Sequence, residues 1–314
     1  MSLQKFKKLS MTNYWQGKKV LVTGASGFTG VRLCLELHKK GARVRALAHK
    51  DVDLTNYNQT KQAITDETII IHAACLDGGA AFKKKFAKKI FFDNLKMTQN
   101  LVRALENKNI EKFVYISSAE VYGKPVKKEK IKEEDLNNYP PFIPEYYYAW
   151  SKIINESLCQ TLGNPVKVII IRPANLYGIG DRYERGRLVP TILEKIKRGQ
   201  RSLLLKGDGL QERTFLFVDD YVKNLLQLVE KSKGGIYNFA GEKIISIKDF
   251  VRIFSRISGL KITFSDKNQT PQPPFVLDIT KAKKIVDYWY DSTYEENIKN
   301  LVKRTNSAKA SLTP

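Results

Sequence analysis

The sequence predicts an α/β fold: a doubly wound parallel sheet covered by helices on both faces, with a smaller and mostly C-terminal second domain. Two observations carry this prediction. Short apolar runs alternate with helical patterns through the first half of the chain, and a glycine-rich segment joins the first run to the first helical pattern. Such alternation builds a parallel sheet, because each crossover helix returns the chain to the same edge. The second half is less regular and indicates a domain that folds back over that edge.

The individual elements follow from local patterns. Strands are expected where β-branched and aromatic residues cluster between turn residues, at 20–22, 44–48, 68–72, 113–117, 166–171 and 236–239. Helices are expected where apolar residues recur every three or four positions, at 31–40, 91–106, 148–161, 188–198, 221–231, 247–258 and 293–303. Residues 214–218 are expected to be extended.

Composition limits the class of protein. The chain has 314 residues, three cysteines without metal-ligand spacing, and no run of about 18 apolar residues that would span a bilayer. An odd, sparse cysteine count favours a reducing compartment, and residues 1–16 lack the apolar segment of a signal peptide. We therefore expect a cytoplasmic protein with no membrane association and no bound metal.

The charge balance is strongly basic. Lysine and arginine number 54 against 32 acidic residues, which gives a formal charge of +22 and attracts polyanions. The lysines are scattered, however, and are not interleaved with aromatic residues as a platform for single-stranded nucleic acid requires. We expect a solvated basic surface and no specific nucleic-acid partner.

A glycine-rich turn follows the first predicted strand and opens the first helix. Residues 23–30 read Thr-Gly-Ala-Ser-Gly-Phe-Thr-Gly. A diphosphate at this position would meet backbone N–H groups and the positive end of the helix dipole. Gly24 permits the tight turn, Gly27 the close approach of phosphate, and Gly30 the packing of helix on strand. The expected cofactor contacts in this turn are Gly24, Ser26, Gly27, Phe28, Thr29 and Gly30.

The Gly-x-x-Gly-x-x-Gly spacing resembles that of the short-chain dehydrogenase/reductase superfamily, and Gly27-Phe28 resembles its extended branch, the NAD(P)-dependent nucleotide-sugar epimerases and dehydratases. Thr29 stands where that branch usually has isoleucine. The resemblance implies a Rossmann-type dinucleotide-binding domain, which we assign to residues 12–173 and 212–240. It also implies a substrate domain, assigned to 174–211 and 241–305, with flexible ends at 1–11 and 306–314.

The choice between NAD and NADP depends on the end of the second strand. An acidic residue there accepts the ribose hydroxyls of NAD and repels the 2′-phosphate of NADP. Here the strand carries Arg45 and runs into His49-Lys50, three cations that could complement a 2′-phosphate or simply be surface charges. The sequence therefore favours NADP, while the nearby Asp51 keeps NAD as the alternative.

Further cofactor contacts are implied by the resemblance. Asp53-Leu54 resembles the pair that lies beside the adenine ring, and a plain loop aspartate is the equal alternative. Residues 71–74 resemble the motif of the third strand, which adds Ala73 and Ala74. Asn94 falls in the pattern of the following helix.

The substrate residues are also assigned by resemblance. Asn175 and Arg213 resemble residues that meet the sugar diphosphate, and Tyr177 follows Asn175 in the same segment. The guanidinium of Arg213 could offer two parallel donors to a phosphate, or form a surface ion pair. These three residues are the expected substrate-binding set.

A tyrosine and a lysine lie four residues apart in a predicted helix. Tyr148 and Lys152 project from the same face, and an ammonium near a phenol favours phenolate. The phenol can then serve as a general base, and Lys152 can also hold the ribose of the nicotinamide. By resemblance, the catalytic serine is Ser118, four residues before Tyr122, and Ser117 is structural.

The residues after Ser118 bear on the reaction. The 4,6-dehydratases that the sequence resembles here carry an Asp–Glu pair, whereas this chain has Ala119-Glu120. Loss of the aspartate argues against dehydration and leaves Glu120 as a catalytic candidate. We expect oxidoreduction at C4 of a nucleotide-linked sugar, with a 4-epimerase ahead of an NADPH-dependent 4-keto-sugar reductase or a UDP-glucuronate decarboxylase-like enzyme.

A contrasting interpretation is a redox-inert Rossmann protein that binds nicotinamide or RNA for regulation. Salt-sensitive oligonucleotide binding and a Tyr148→Phe variant without effect would favour it. The complete set of Ser118, Tyr148 and Lys152 argues for an enzyme acting on a small-molecule nucleotide sugar. The resemblance further implies a homodimer formed by the helices that flank Tyr148.

Overall fold

The computed structural model of the chain describes residues 13–123, 130–137, 142–265 and 274–310. Its strands are β1 (Lys19–Thr23), β2 (Arg43–Leu47), β3 (Ile69–His72), β4 (Lys112–Ile116), β5 (Lys167–Pro173), β6 (Leu176–Tyr177), β7 (Ser202–Leu205), β8 (Glu212–Thr214), β9 (Leu216–Phe217), β10 (Gly235–Phe239), β11 (Ile244–Ser246) and β12 (Lys261–Phe264). Its helices are α1 (Gly30–Lys39), α2 (Tyr57–Gln62), α3 (Ala80–Lys85), α4 (Ala87–Ala104), α5 (Tyr147–Gln160), α6 (Leu188–Lys197), α7 (Val218–Lys231), α8 (Ile247–Ser258), α9 (Thr280–Lys283) and α10 (Tyr294–Ala310).

A six-stranded parallel sheet in the order β10-β5-β4-β3-β1-β2 forms the larger part of the molecule. Successive residues of β1 point to opposite faces of this sheet. Val20 and Val22 join the core under α1, where they cluster with Leu33, whereas Leu21 clusters with Leu101 of α4 on the other face. All five side chains are fully buried. Helices therefore cover both faces, and the predicted doubly wound α/β fold is confirmed.

A second hydrophobic core lies outside this sheet. It is built by α6, α8 and α10, which contribute Ile192, Phe254 and Ile298. The rings of Phe215 and Phe250 stack at its centre, with centroids 3.9 Å apart. The strands around it form only two-stranded pieces, β7 with β12, β8 with β11 and β6 with β9. The domain boundaries assigned from the sequence remain a prediction.

A buried ion pair fixes α5 against the sheet. Arg172 of β5 donates from Nε and Nη2 to the carboxylate of Glu156 of α5, at 3.0 and 2.6 Å, and neither side chain is exposed by more than 3%. The hydroxyl of Ser117 donates to the same carboxylate at 2.5 Å. Ser117 thereby links the end of β4 to this pair, as a structural residue would.

Some elements differ from their predicted bounds. The extended segment 214–218 divides, because β8 pairs with β11 while β9 pairs with β6. The last helix does not fray at 306: α10 continues to Ala310, since no glycine or proline interrupts it earlier. Residues 1–12 and 311–314 lie outside the described residues. No helix within the described ranges is long and apolar enough to cross a membrane.

Candidate active site

A cleft of about 1120 Å³ opens at the carboxyl ends of the parallel strands. Its wall is formed by the turn after β1, the loop after β3, the ends of β4 and β5, and helix α5. The opposite wall comes from the segment that leads into α6, a helix of the second core. This is the edge at which open α/β sheets bind ligands.

The glycine-rich turn forms one end of the cleft. Gly24 has a φ of +66°, and a Cβ on it would lie 2.7 Å from the backbone N and Cα of Ala74. A Cβ on Gly30 would lie 2.1 Å from the carbonyl oxygen of Gly24. The hydroxyl of Thr23 accepts from the N–H of Ala74 at 3.2 Å and contacts Nδ1 of His72 at 2.7 Å. Bare backbone at the start of a helix suits a dinucleotide phosphate, so these residues fit the expected cofactor.

The rest of the turn lies on the same wall. Ser26, Gly27, Phe28 and Thr29 line the cleft, whereas Gly30 packs behind them at the start of α1. The structure therefore brings five of the six predicted residues to the place where a cofactor diphosphate would lie. Their contacts with a cofactor remain a prediction.

The cations predicted to contact a 2′-phosphate are divided by the fold. His49 lines the cleft, but Arg45 turns away from it and donates to Glu67 at 3.2 Å and to Thr65 at 2.7 Å. Neither Arg45 nor Lys50 belongs to the cleft wall formed by the described residues. The local sequence pattern around Arg45 could not predict its pairing with the buried carboxylate of Glu67, which lies about twenty positions later.

The other four residues between β2 and α3 that were predicted to contact the cofactor all line the cleft, whereas Asn94 lies on α4. These four are Asp53, Leu54, Ala73 and Ala74. The carboxylate of Asp53 accepts from the N–H and the hydroxyl of Thr55 at 2.9 and 2.8 Å, and these bonds lower its pKa. The carboxylate at this point of the cleft is therefore ionised at neutral pH.

Asn94 shapes the cleft from behind. Its side chain is 3% exposed, accepts from the N–H of Leu76 at 2.8 Å and donates to the carbonyl of the same residue at 3.1 Å. This pair of bonds fixes the loop after β3. The structure thus gives Asn94 a position in the loop's support and not on the wall of the cleft.

The three predicted catalytic side chains converge in the cleft. Ser118, Tyr148 and Lys152 all line it and are 8%, 6% and 2% exposed. Tyr148 hydrogen-bonds to the side chain of Ser118. The ammonium of Lys152 lies 5.8 Å from the centre of the Tyr148 ring and donates to the carbonyl of Ile116 at 2.7 Å. Strand β4 and helix α5 therefore hold the serine, the phenol and the ammonium on one side of the cleft.

The surroundings of Tyr148 favour the neutral phenol. Burial raises the pKa of Tyr148 well above its usual value, and the carboxylates of Asp77 and Glu120 raise it further. The hydrogen bond from Ser118 acts in the opposite direction. In the free protein the phenol is therefore protonated and ready to donate a proton.

Glu120 is held by a lysine that the sequence did not single out. Its carboxylate, half exposed, pairs with the ammonium of Lys83 of α3, and Lys83 also pairs with Asp77 at 3.3 Å. The same ammonium lies 4.1 Å from the centre of the Tyr148 ring. Lys83 was not predicted, because it belongs to a run of three lysines, which usually marks a solvated helix face.

A second ion pair joins the two walls of the cleft. Arg187, just before α6, donates to Asp77 of the loop after β3 and to Asp181 at 2.6 Å. The N–H of Gly79 donates to the carbonyl of Arg185 at 2.6 Å. The consecutive Gly78 and Gly79 after β3 were the only local signal of this contact.

The predicted substrate residues are also divided. Asn175 and Tyr177 line the cleft; Asn175 donates to the carbonyl of Thr214 at 2.9 Å, and the hydroxyl of Tyr177 accepts from Asn297 at 3.1 Å. Arg213 lies off the wall formed by the described residues. Its guanidinium lies over a phenylalanine ring, 5.7 Å from the ring centre, and donates to a glutamine at 3.1 Å.

Comparisons with known proteins bear on this arrangement. A family model described as the NAD dependent epimerase/dehydratase family matches residues 20–240. A dTDP-4-dehydro-6-deoxy-D-allose reductase of Streptomyces bikiniensis is 28% identical over 302 residues, which cover 87% of this chain and 92% of the relative. An uncharacterized UDP-glucose epimerase of Bacillus subtilis is also 28% identical, with 90% and 96% covered. The crystal structure of a UDP-glucose 4-epimerase from Thermotoga maritima superposes with a TM-score of 0.81 at 21% identity, over 92% of this chain and 99% of that one.

Proposed function

The chain belongs to the NAD dependent epimerase/dehydratase family, and we propose that it reduces the C4 ketone of a nucleotide-linked sugar with NADPH. The observation that carries the proposal is the convergence of Ser118, Tyr148 and Lys152 beside the glycine-rich turn. A proton donor, a hydroxyl and a cation at the end of a dinucleotide cleft are the groups that carbonyl reduction needs.

The chain's own residues supply the proton and the orientation. When bound, the nicotinamide provides the hydride for the sugar carbon. Tyr148 gives its phenolic proton to the oxygen at C4, and Ser118 hydrogen-bonds the same oxygen while its charge changes. Lys152 stabilises the phenolate that remains, because an opposite charge nearby favours the ionised form. The bond from Lys152 to Ile116 fixes the position of the ammonium.

Two observations favour reduction over the alternatives. The end of β2 reaches the cleft with His49 and without a carboxylate, which suits the 2′-phosphate of NADPH better than the bare ribose of NAD. Glu120 is engaged by Lys83, so its carboxylate is not free for proton transfer at neighbouring sugar carbons, as dehydration would require. The S. bikiniensis relative is also named as a reductase of a 4-keto sugar.

A 4-epimerase is the second candidate, favoured by the name of the B. subtilis relative. The two differ in cofactor stoichiometry. A reductase consumes one NADPH for each product molecule, whereas an epimerase returns the hydride to the same sugar and leaves the cofactor unchanged. The UDP-glucuronate decarboxylase-like reaction has no support in the geometry beyond Glu120 itself.

The substrate contacts form part of the proposal. Asn175 and Tyr177 are assigned to the sugar diphosphate end of the cleft, because they line the same cleft as the segment that leads into α6. Arg213 would have to leave its position over the phenylalanine ring to reach a phosphate. We propose that Arg213 contacts the diphosphate only when substrate is bound.

The protein is also proposed to be a cytoplasmic homodimer. Phe92 of α4 and Phe142 are each 56% exposed, and Ile154 of α5 is 39% exposed. Helices α4 and α5 pack side by side, and we infer that a second copy covers these exposed apolar side chains. Light scattering of the wild type and of Phe92→Lys tests this: the wild type should be a dimer and the variant a monomer.

The test of the proposed reaction is a panel of 4-keto nucleotide sugars carrying dTDP, GDP or UDP. Each is incubated with NADPH and followed by the loss of reduced nicotinamide and by NMR of the sugar. The proposal expects stoichiometric oxidation of NADPH with one member of the panel. Interconversion of sugars without net oxidation would replace the reductase by the epimerase, and inactivity over the whole panel would refute both.

A further inference from the structure

The ammonium of Lys83 is nearer to the Tyr148 ring than the ammonium of Lys152. The distances to the ring centre are 4.1 and 5.8 Å. Lys83 comes from α3, the short helix after the loop that follows β3, whereas Tyr148 and Lys152 both belong to α5. The site therefore contains a cation in addition to the one in the four-residue tyrosine–lysine spacing.

Two carboxylates beside the phenol explain what this cation does. Asp77 and Glu120 both oppose ionisation of Tyr148. Lys83 forms ion pairs with both of them. The side chains of Lys83 and Asp77 are 12% and 21% exposed, so their pair is weakly screened by water, whereas Glu120 is half exposed. Burial alone would lower the pKa of Lys83, but Glu120 and Asp77 raise it above its usual value, so the side chain is charged at neutral pH.

We propose that Lys83 is a positioning residue for the reaction, which holds Asp77 and Glu120 in ion pairs and so allows Tyr148 to ionise when it gives up its proton. The inference rests on the proposed function of Tyr148 as proton donor. It assigns to α3 a part in proton transfer, and it makes Glu120 a partner of Lys83 and not the acid or base itself.

The other charges around the phenol are accounted for in this arrangement. The groups that face Tyr148 from the elements packed against it are Cys75 and Asp77 after β3, Lys83 on α3, Ser118 and Glu120 after β4, Lys152 on α5 and Arg187 before α6. Arg187 shares Asp77 with Lys83. Glu120, by contrast, has Lys83 as its ion-pair partner among the described residues. If the charge of Lys83 is lost, Glu120 is left without an ion-pair partner among the described residues, and we expect it to account for most of the rise in the pKa of Tyr148.

The experiment is a pH titration of Tyr148 in the NADP⁺-bound protein labelled with carbon-13 at the tyrosine Cζ. The resonance of Tyr148 is the one missing from Tyr148→Phe. In Lys83→Met, and in Lys83→Gln, whose amide can still hydrogen-bond both carboxylates, the midpoint should rise by about 1 pH unit, because a compensating cation within 4–6 Å is lost. Lys83→Arg, which keeps the charge, should titrate as the wild type does.

Two further variants separate charge from structure. Lys85→Met removes an exposed lysine of the same helix and should leave the midpoint unchanged. Lys83→Met combined with Glu120→Gln removes both partners of one ion pair and should bring the midpoint back by at least half of the rise. A purely structural role of Lys83 would not be repaired by the second substitution.

The inference is overturned if neutral variants at position 83 titrate as the wild type does, if the double variant shows no recovery, or if the wild-type phenol does not ionise at any pH at which the protein is folded. The titration needs no turnover, so it tests Lys83 even if no sugar of the panel is reduced. Conversely, reduction of a sugar by a protein whose midpoint does not respond to Lys83 would refute this inference alone.

Discussion

The six-stranded sheet and the second core are built in different ways. In the sheet, each strand pairs over four or five residues with parallel neighbours, and its side chains alternate between two buried faces. In the second core, the strands form isolated pairs, and α6, α8 and α10 pack around aromatic rings. In the sheet region, the end of β4 and helix α5 hold Ser118, Tyr148 and Lys152 in the cleft, whereas the segment that leads into α6 forms the facing wall. In the proposed reaction, the regular region supplies the catalytic side chains, and we expect the irregular region to select the substrate.

The strongest test of this division is Tyr148→Phe. Loss of the phenolic proton should lower kcat on the order of 10³-fold while the affinity for NADPH stays unchanged, because the proton donor takes no part in holding the dinucleotide. Steady-state kinetics and fluorescence titration with NADPH measure the two quantities. Tyr147→Phe removes the neighbouring hydroxyl of α5 and serves as the matched control. If Tyr148→Phe keeps the wild-type kcat, Tyr148 is not the proton donor and the catalytic centre lies outside the sheet region.

The buried ion pair of the sheet should matter far more than an exposed pair of the second core. In Glu156→Gln, the guanidinium of Arg172 stays fully buried without a carboxylate, which should lower the free energy of unfolding by about 4 kcal/mol. Glu295→Gln breaks an exposed pair with Arg256 and should cost less than about 1 kcal/mol. Urea denaturation measures both values. Equal losses in the two variants would contradict the comparison.

Glycines of the two regions provide a second matched pair. Gly24 and Gly259 both have positive φ, but only at Gly24 would a Cβ meet backbone atoms, those of Ala73 and Ala74. Gly259→Ala should cost about 1 kcal/mol of strain, and Gly24→Ala about 3 kcal/mol, since overlap is added to strain. Gly24→Ala should also weaken NADPH binding. If thermal unfolding shows equal losses, the glycine-rich turn is not held against the loop after β3.

A loss of folding stability at acid pH should also originate in the sheet region. The three histidines of the chain all occur before residue 73, and His72 is buried between Thr23 and Thr98. Burial, helped by the charge of Lys152, lowers the pKa of His72 to about 3. The unfolded chain therefore takes up this proton first, and stability present above pH 6.5 is lost as the pH falls.

The expected loss from His72 between pH 7 and pH 5 is about 2 kcal/mol. Urea denaturation at both pH values measures it. His72→Gln should be less stable at pH 7 but lose less stability on acidification, whereas His49→Gln should keep the full loss. An acid response that is unaltered in His72→Gln would assign the sensitivity to other groups.

Local patterns were sufficient to predict the sheet. The alternation of short apolar runs with helical patterns predicted the parallel fold, and the glycine spacing after β1 predicted the family; both predictions are confirmed. Tyr148 and Lys152 could be placed on one helix face, because residues four positions apart in an α-helix are neighbours on its surface.

Contacts between distant segments could not be predicted in this way. Arg45 was expected to face the cofactor, but it pairs with Glu67, because strands β2 and β3 flank the same neighbour and bring the two segments together. Lys83 was missed because only the packing of α3 against the active site distinguishes it from Lys84 and Lys85. Side-chain direction at such positions depends on tertiary structure, which no local pattern contains.

The central claim is that Tyr148 and a dinucleotide in the cleft reduce C4 of a nucleotide sugar. The most direct measurement uses NADPH deuterated at the transferring position of the nicotinamide, together with the 4-keto sugars of the panel, and locates the label in the product by NMR. We expect deuterium bonded to C4 with the wild type, and incorporation on the order of 10³-fold slower with Tyr148→Phe. Label at another carbon, or label that never leaves the cofactor with any sugar, would contradict it.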